Sequence, residues 1–171
     1  YEGYESFEGD TENDKIQNMW RNSIVSDTYE PGSTFKIITM AAAMEEGLIH
    51  DDDVFVCNGS KKFGDVHVHC WNLSGHGEQT AAEILKNSCN VGFMELGARL
   101  GAEKLNEYIK KLGFGNITGI DLPGEAEGIV KSTNSISDID LATIVFGQTN
   151  TLNALQLLTA VNAVANGGNL I

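Results

Sequence analysis

The fold is decided by the stretch Tyr29-Glu30-Pro31-Gly32-Ser33-Thr34-Phe35-Lys36, which leads into an apolar run. A proline followed by a glycine interrupts regular structure, and from Ser33 onward the apolar residues recur at helical spacing until Gly47, a natural helix stop. Residues 38–44 are almost entirely small or apolar, so we expect this helix to be buried on all sides. Ser33 then lies at the N-terminus of a buried helix.

Ser33 and Lys36 form a candidate nucleophile and base. Three residues apart on a helix, their side chains share one face. Serine is a weak nucleophile unless a neighbour takes its proton, and a lysine can do so if burial lowers its pKa. The alternative is that Ser33 only caps the helix and that Lys36 is solvated.

A second polar motif, Ser88-Cys89-Asn90, follows a helix that Thr80 and Glu83 open with a capping box. Its hydroxyl can relay a proton and its amide can orient a substrate carbonyl. A polar helix terminus without chemistry is the alternative. Together, Ser-x-x-Lys and Ser-x-Asn are two of the three signatures of penicillin-interacting serine enzymes.

Around these motifs the sequence predicts a helix-rich chain with a few short strands, an α/β (α+β) class. Two strands, at 54–58 and 65–71, are expected to pair as a hairpin through the polar, glycine-containing segment between them. The further predicted helices are at 80–87, 90–99, 102–112, 138–146 and 153–165.

Composition narrows the function classes. The 171 residues carry 11 basic and 24 acidic side chains, a net charge of −13. Such a chain repels phosphate backbones and anionic lipid, so nucleic-acid binding and peripheral membrane anchoring are both disfavoured. No apolar run approaches the ~20 residues of a membrane span. The length suits one domain, or a large piece of one.

The chain resembles the transpeptidase domain of class B penicillin-binding proteins. The similarity begins with the segment around Ser33 and covers nearly the whole chain from about residue 17. Several further strings are similar to the sporulation branch of the family, which acts in spore cortex formation. They are Cys70-Trp71, Gly75-His76-Gly77, Asn87-Ser88-Cys89-Asn90, Gly119-Ile120-Asp121-Leu122-Pro123-Gly124-Glu125 and Ala165-Asn166-Gly167-Gly168.

The resemblance implies a peptidoglycan D,D-transpeptidase that needs no cofactor for its chemistry. Ser33 would attack the penultimate D-Ala carbonyl of a stem peptide, with Lys36 as general base. Ser88 with Lys36 would return a proton to the leaving D-Ala, and Asn90 would hold the donor amide. An amine on a neighbouring stem would accept the acyl group, and β-lactam antibiotics would trap Ser33.

The resemblance also implies where the parent protein works. The domain would lie on the extracytoplasmic face of the bacterial cell membrane, in the sporulation branch within the forespore intermembrane space. Segments outside this chain would provide the membrane anchor. A glycan polymerase of the division or cortex machinery would be a partner.

The implied fold is that of penicillin-binding proteins and serine β-lactamases, mainly its helical part with a small hairpin. No Lys-Thr-Gly or Lys-Ser-Gly, the third motif of the family, occurs in the chain. We therefore expect residues 1–171 to form a partial transpeptidase domain with an incomplete central sheet. Two other functions remain open: a β-lactamase-like hydrolase, and a non-catalytic penicillin-binding-like sensor or scaffold.

All three cysteines and three of the four histidines fall within 34 positions of the chain. Three interpretations stay open: a structural zinc site behind the catalytic residues, a redox pair formed by Cys70 and Cys89, or buried cysteines and surface histidines without a function. The predicted zinc ligands are Cys57, His69, Cys70 and Cys89, with Asp65 and His67 as alternatives.

Overall fold

The computed structural model describes residues 2–171, which form seven α-helices and four short strands. Single 3-10 turns cover Tyr4–Ser6, Gly32–Phe35 and Thr133–Ser135. The helices are α1 (Glu12–Trp20), α2 (Ser23–Ser26), α3 (Lys36–Glu45), α4 (Ala81–Lys86), α5 (Asn90–Lys111), α6 (Asp138–Ile144) and α7 (Ala154–Ala165). The strands are β1 (Phe55–Cys57), β2 (Ser60–Phe63), β3 (Val66–His69) and β4 (Gly77–Gln79).

Helices α3 and α5 pack against each other at the centre, with α7 beside α3 and α6 beside α5. Apolar side chains from all these helices and from β1 form one core. The expectation that α3 is buried on all sides is wrong at two positions. Ile37 and Met44, seven residues apart on α3, are 37% and 64% exposed and form a stripe along one face.

Several local sequence signals are confirmed. The predicted capping box at Thr80 forms, and a second one forms at Asn153, each with its side chain accepting from a backbone N–H three residues on. The two helices predicted at 90–99 and 102–112 are continuous as α5 but break at Gly101, whose φ of +78° and ψ of 160° are not helical. Leu105 and Ile109, which lie beyond this break, are still buried in the core.

The predicted hairpin between 54–58 and 65–71 is wrong. Strand β1 instead pairs antiparallel with β4, and a tighter hairpin joins β2 to β3. In this register Cys57 lies opposite Gly77, and Ser60 lies opposite His69. The consequence for function is that residue 76, not residue 69, is brought beside Cys57.

None of the helices in residues 2–171 is long and apolar enough to cross a membrane.

Candidate active site

Ser33 lies in the 3-10 turn that precedes α3, with its side chain exposed to solvent. This turn is held from one side by Gly147, whose carbonyl oxygen accepts a hydrogen bond of 2.8 Å from the Gly32 N–H. A Cβ at position 147 would lie 2.0 Å from the Gly32 carbonyl oxygen, and the residue has a φ of +84°. Only glycine satisfies both the close approach and the left-handed conformation. The contact fixes the turn that carries Ser33.

Lys36 is the first residue of α3 and is 1% exposed. Its Nζ lies 3.1 Å from Ser33 Oγ, 2.9 Å from Ser88 Oγ, 2.8 Å from the Ser88 carbonyl oxygen and 2.8 Å from Asn90 Oδ1. An ammonium has only three N–H donors. Four oxygens around one nitrogen therefore suit an amine that exchanges protons with the two hydroxyl groups.

Burial lowers the pKa of Lys36 to about 8, although the nearby Cys70 and Cys89 thiols act in the opposite direction. The rings of Phe93 and Phe146 lie 5.5 and 5.9 Å from Nζ and contribute to this apolar surrounding. With a pKa of about 8, about 9% of the lysines are neutral at pH 7, compared with about 0.03% at the ordinary value of 10.5. The structure thus supplies a population of neutral amine next to Ser33.

Ser88 occupies the tight link between α4 and α5 and has a φ of +48°, in the left-handed region. That conformation costs a residue other than glycine roughly 1–3 kcal/mol, and such strain is often found at functional sites. Here it turns both the hydroxyl and the carbonyl oxygen of Ser88 toward Lys36.

Asn90, the first residue of α5, has an orientation fixed from two sides. Its Oδ1 accepts from Lys36 Nζ, and its Nδ2 donates to the His69 carbonyl oxygen over 3.2 Å. The structure therefore brings together the four residues that the sequence proposed for catalysis, from two separate segments of the chain, and we call these four residues the catalytic corner.

Behind this corner lies a second group, made of Cys57, Cys70, His76 and Cys89. Their potential ligand atoms all lie within 4.8 Å of one another, and the three cysteines are buried as free thiols. Cys70 Sγ and His76 Nδ1 are 3.7 Å apart. Burial raises the pKa of Cys89 to about 11. We call these four residues the cysteine–histidine tetrad.

The predicted ligand set needs a correction, because His69 does not belong to the tetrad. Its side chain is exposed on β3, as is that of His67, and the His67 and His69 rings stack outside the core. The other alternative, Asp65, is exposed in the turn before β3. Alternation along the strand sends Cys70 inward while His69 faces solvent. The histidine of the tetrad is His76 instead. It directly precedes β4, and β4 pairs with β1, the strand that ends at Cys57.

Two glycines, Gly75 and Gly59, allow the loop that carries His76 to approach the end of β1 closely. A Cβ on Gly75 would lie 2.2 Å from the Cys57 carbonyl oxygen, and one on Gly59 would lie 2.0 Å from the Leu73 carbonyl oxygen. These two close approaches seat the loop from Cys70 to His76 directly on the end of β1.

A family model described as the penicillin binding protein transpeptidase domain matches residues 2–171. The chain belongs to this family. Among similar proteins, stage V sporulation protein D of Bacillus subtilis is 49% identical over 151 residues, which are 88% of this transpeptidase-family chain and 23% of the relative. The peptidoglycan D,D-transpeptidase FtsI of Buchnera aphidicola is 31% identical over 90% of the chain and 26% of the relative.

Solved structures show the same fold. The transpeptidase domain of Burkholderia pseudomallei penicillin-binding protein 3 has a TM-score of 0.83 at 24% identity, over 88% of this chain and 45% of that one. Mycobacterium tuberculosis penicillin-binding protein 3, solved in complex with aztreonam, has a TM-score of 0.81 at 34% identity, over 91% of this chain and 35% of that one. The predicted fold class is therefore confirmed, and this chain spans about a quarter of the length of its curated relatives.

Proposed function

We propose that this chain carries the nucleophile half of a serine D,D-transpeptidase that cross-links peptidoglycan. One observation carries the proposal: Lys36 Nζ contacts Ser33 Oγ, Ser88 Oγ and Asn90 Oδ1 at once, in a site where its pKa is about 8. The names of the similar proteins, which include peptidoglycan D,D-transpeptidases, support the same chemistry.

In the first half of the reaction Ser33 Oγ attacks the carbonyl carbon of the penultimate D-Ala, and its proton passes to neutral Lys36. The backbone N–H of Ser33, in the 3-10 turn that precedes α3, is proposed to donate to the oxyanion. The tetrahedral intermediate then collapses, the C–N bond breaks, and the proton moves from Lys36 through the Ser88 hydroxyl to the amine of the departing D-Ala.

In the second half an amine from a neighbouring stem attacks the Ser33 ester. It loses a proton to Lys36, the ester bond breaks to give the new amide, and Lys36 returns a proton to the departing Ser33 Oγ. Asn90, fixed by Lys36 and by the His69 carbonyl, presents a side-chain amide beside the nucleophile that hydrogen-bonds the donor peptide. β-Lactams are proposed to acylate Ser33 by the same attack; the similar Mycobacterium tuberculosis protein has been solved with aztreonam and with ampicillin.

The remaining proposals concern the whole parent protein rather than this chain alone. We propose that residues 1–171 are part of one transpeptidase domain, and that the parent acts outside the cytoplasmic membrane. The 49% identity to stage V sporulation protein D favours the spore cortex, in the forespore intermembrane space, and a glycan polymerase as partner. A structural zinc ion is proposed beside the catalytic residues and takes no part in acyl transfer.

The test incubates the protein with a donor peptide that ends in D-Ala-D-Ala, with and without an amine acceptor. Free D-Ala, the aminolysis product and the hydrolysis product are then quantified. A transpeptidase releases D-Ala and gives mostly aminolysis product once the amine is present. A hydrolase gives the free acid whatever the amine concentration, and a sensor releases no D-Ala. Ser33→Ala should abolish release, while Ser74→Ala, which changes another exposed serine, should leave it intact.

A further inference from the structure

The cysteine–histidine tetrad has the composition of a structural metal site. Three thiols and one imidazole meet in the protein interior without a carboxylate among them. Sets of three cysteines and one histidine hold zinc in closed tetrahedral sites, and soft thiolate ligands select zinc over hard cations such as Mg²⁺.

The distances fit a tetrahedral ion with a small contraction. Zinc–sulfur bonds of ~2.3 Å and zinc–nitrogen bonds of ~2.0–2.1 Å place neighbouring ligand atoms about 3.8 Å (sulfur to sulfur) or 3.6 Å (sulfur to nitrogen) apart. The Cys70 Sγ to His76 Nδ1 distance is 3.7 Å, and no pair in the tetrad exceeds 4.8 Å. From a spacing of 4.8 Å, each atom need move inward by less than about 1 Å to reach zinc-bond length.

The His76 imidazole is not held in the interior by hydrogen bonds at both of its nitrogens. His76 Nε2 is buried and has no hydrogen-bond partner within residues 2–171. Nδ1 is the nitrogen that lies toward Cys70, so zinc would bind there, and Nε2 would then carry the N–H of a neutral imidazole. The T-shaped contact with the Trp71 ring, at 5.2 Å between centroids, restricts the imidazole plane and leaves Nδ1 facing Cys70.

The position of the tetrad links it to the catalytic corner. Cys89 stands between Ser88 and Asn90, and Cys70 follows His69, whose carbonyl oxygen accepts from Asn90 Nδ2. An ion bound here would connect the end of β1, the end of β3, the loop before β4 and the first turn of α5. The backbone of Asn90, next to Cys89, and the His69 carbonyl that accepts from its side chain, next to Cys70, would then both be attached to one metal centre.

We propose that Cys57, Cys70, His76 and Cys89 bind one Zn²⁺, and that this ion positions Ser88 and Asn90 against Lys36. The cysteines bind as thiolates and the histidine as a neutral imidazole, so three protons are released and the site carries a net charge of −1. The ion touches no substrate, and its effect on acylation rests on the function proposed above.

The first experiment measures metal in the 171-residue chain purified under a reducing agent, by elemental analysis and native mass spectrometry. The expected result is one zinc per chain. Cobalt substitution should give thiolate-to-cobalt charge transfer and the intense visible bands of a tetrahedral site, a readout that needs no variant. Absence of both signals, or a chain that lacks metal and has lost two hydrogens to a disulfide, overturns the proposal.

Variants then decide the ligand set. Cys57→Ser and His76→Ala should lower zinc affinity at least about tenfold, a loss typical even of perturbed outer ligands. The matched control is His69→Ala, which removes the histidine that sequence reasoning favoured and should retain zinc with wild-type affinity. Loss of zinc in His69→Ala with retention in His76→Ala would refute the assignment.

The positioning role has a readout of its own. The Asn90 side-chain amide resonances should shift or broaden when a chelator removes zinc, and they should recover when zinc is returned. Acylation of Ser33 should slow about 10–100-fold in the metal-free chain, since small displacements of catalytic groups have effects of this size. Asn90 resonances that are indifferent to zinc would overturn the positioning role. Zinc binding by Ser33→Ala separates this result from any failure of the proposed acyl transfer.

Discussion

The pKa of Lys36 predicts a steep dependence of acylation on pH. Neutral lysine is the form that accepts the Ser33 proton, and with a pKa of about 8 its fraction is about 1% at pH 6, 50% at pH 8 and 91% at pH 9. Acylation by a β-lactam should therefore accelerate about 50-fold between pH 6 and pH 8 and level off above pH 9. The sign follows from burial, which disfavours the charged ammonium.

The assay is stopped-flow measurement of the second-order rate constant with a fluorescent penicillin, in buffers of equal ionic strength. A control at each pH measures hydrolysis of the penicillin alone, and far-ultraviolet circular dichroism confirms that the chain stays folded. A midpoint near 10.5, the ordinary pKa of lysine, or a flat profile between pH 6 and pH 8 would refute the argument that burial prepares Lys36 as the base.

Three further predictions concern single residues. Gly147→Ala should destabilise the fold by more than about 2 kcal/mol in urea denaturation, because the new Cβ would meet the Gly32 carbonyl at 2.0 Å with φ at +84°; an unchanged unfolding midpoint would contradict this. Asn153→Ala should cost about 2 kcal/mol in thermal unfolding, since the fully buried side chain both caps α7 and donates to the Ala126 carbonyl; a loss below about 0.5 kcal/mol, the effect of a surface substitution, would not fit. Asn90→Asp should raise the pKa of Lys36 and move the acylation midpoint upward by about one pH unit or more, and a downward shift would contradict the electrostatic account.

Local signals predicted much of the helical architecture. The capping boxes at Thr80 and Asn153 form because each needs only residues three apart, and the break at Gly101 needs only one residue that tolerates a positive φ. The contact between Ser33 and Lys36 is local in the same sense, because a spacing of three residues alone puts both side chains on one face of a helical turn.

The pairing of the strands, in contrast, depends on residues far apart in the chain. Strands β1 and β4 pair across an intervening hairpin. The sequence pattern identified the regions of β1 and β3, but it treated the region of β2 as a connection and did not predict β4. The wrong hairpin then led to the wrong histidine, because His69 is near Cys57 only if the strands pair as predicted. The close approach of Gly75 to Cys57 decides the matter and is visible only in three dimensions.

The catalytic corner also depends on features that no motif records. The left-handed backbone at Ser88 and the contact between Gly147 and Gly32 arise from segments far apart in the chain. The two aromatic rings near Lys36 come from α5 and from the loop after α6. Ser-x-x-Lys and Ser-x-Asn named the reacting groups, whereas tertiary packing sets the pKa that allows them to react.

The most direct test of the account is to identify the residue that carries the stable adduct after treatment with penicillin, by peptide mapping and tandem mass spectrometry. We predict a single penicilloyl group, attached as an ester to Ser33, which forms at a strongly reduced rate in Lys36→Met. An adduct on another residue, or equal rates in Lys36→Met and wild type, would contradict the central claim that Lys36 activates Ser33 as the nucleophile.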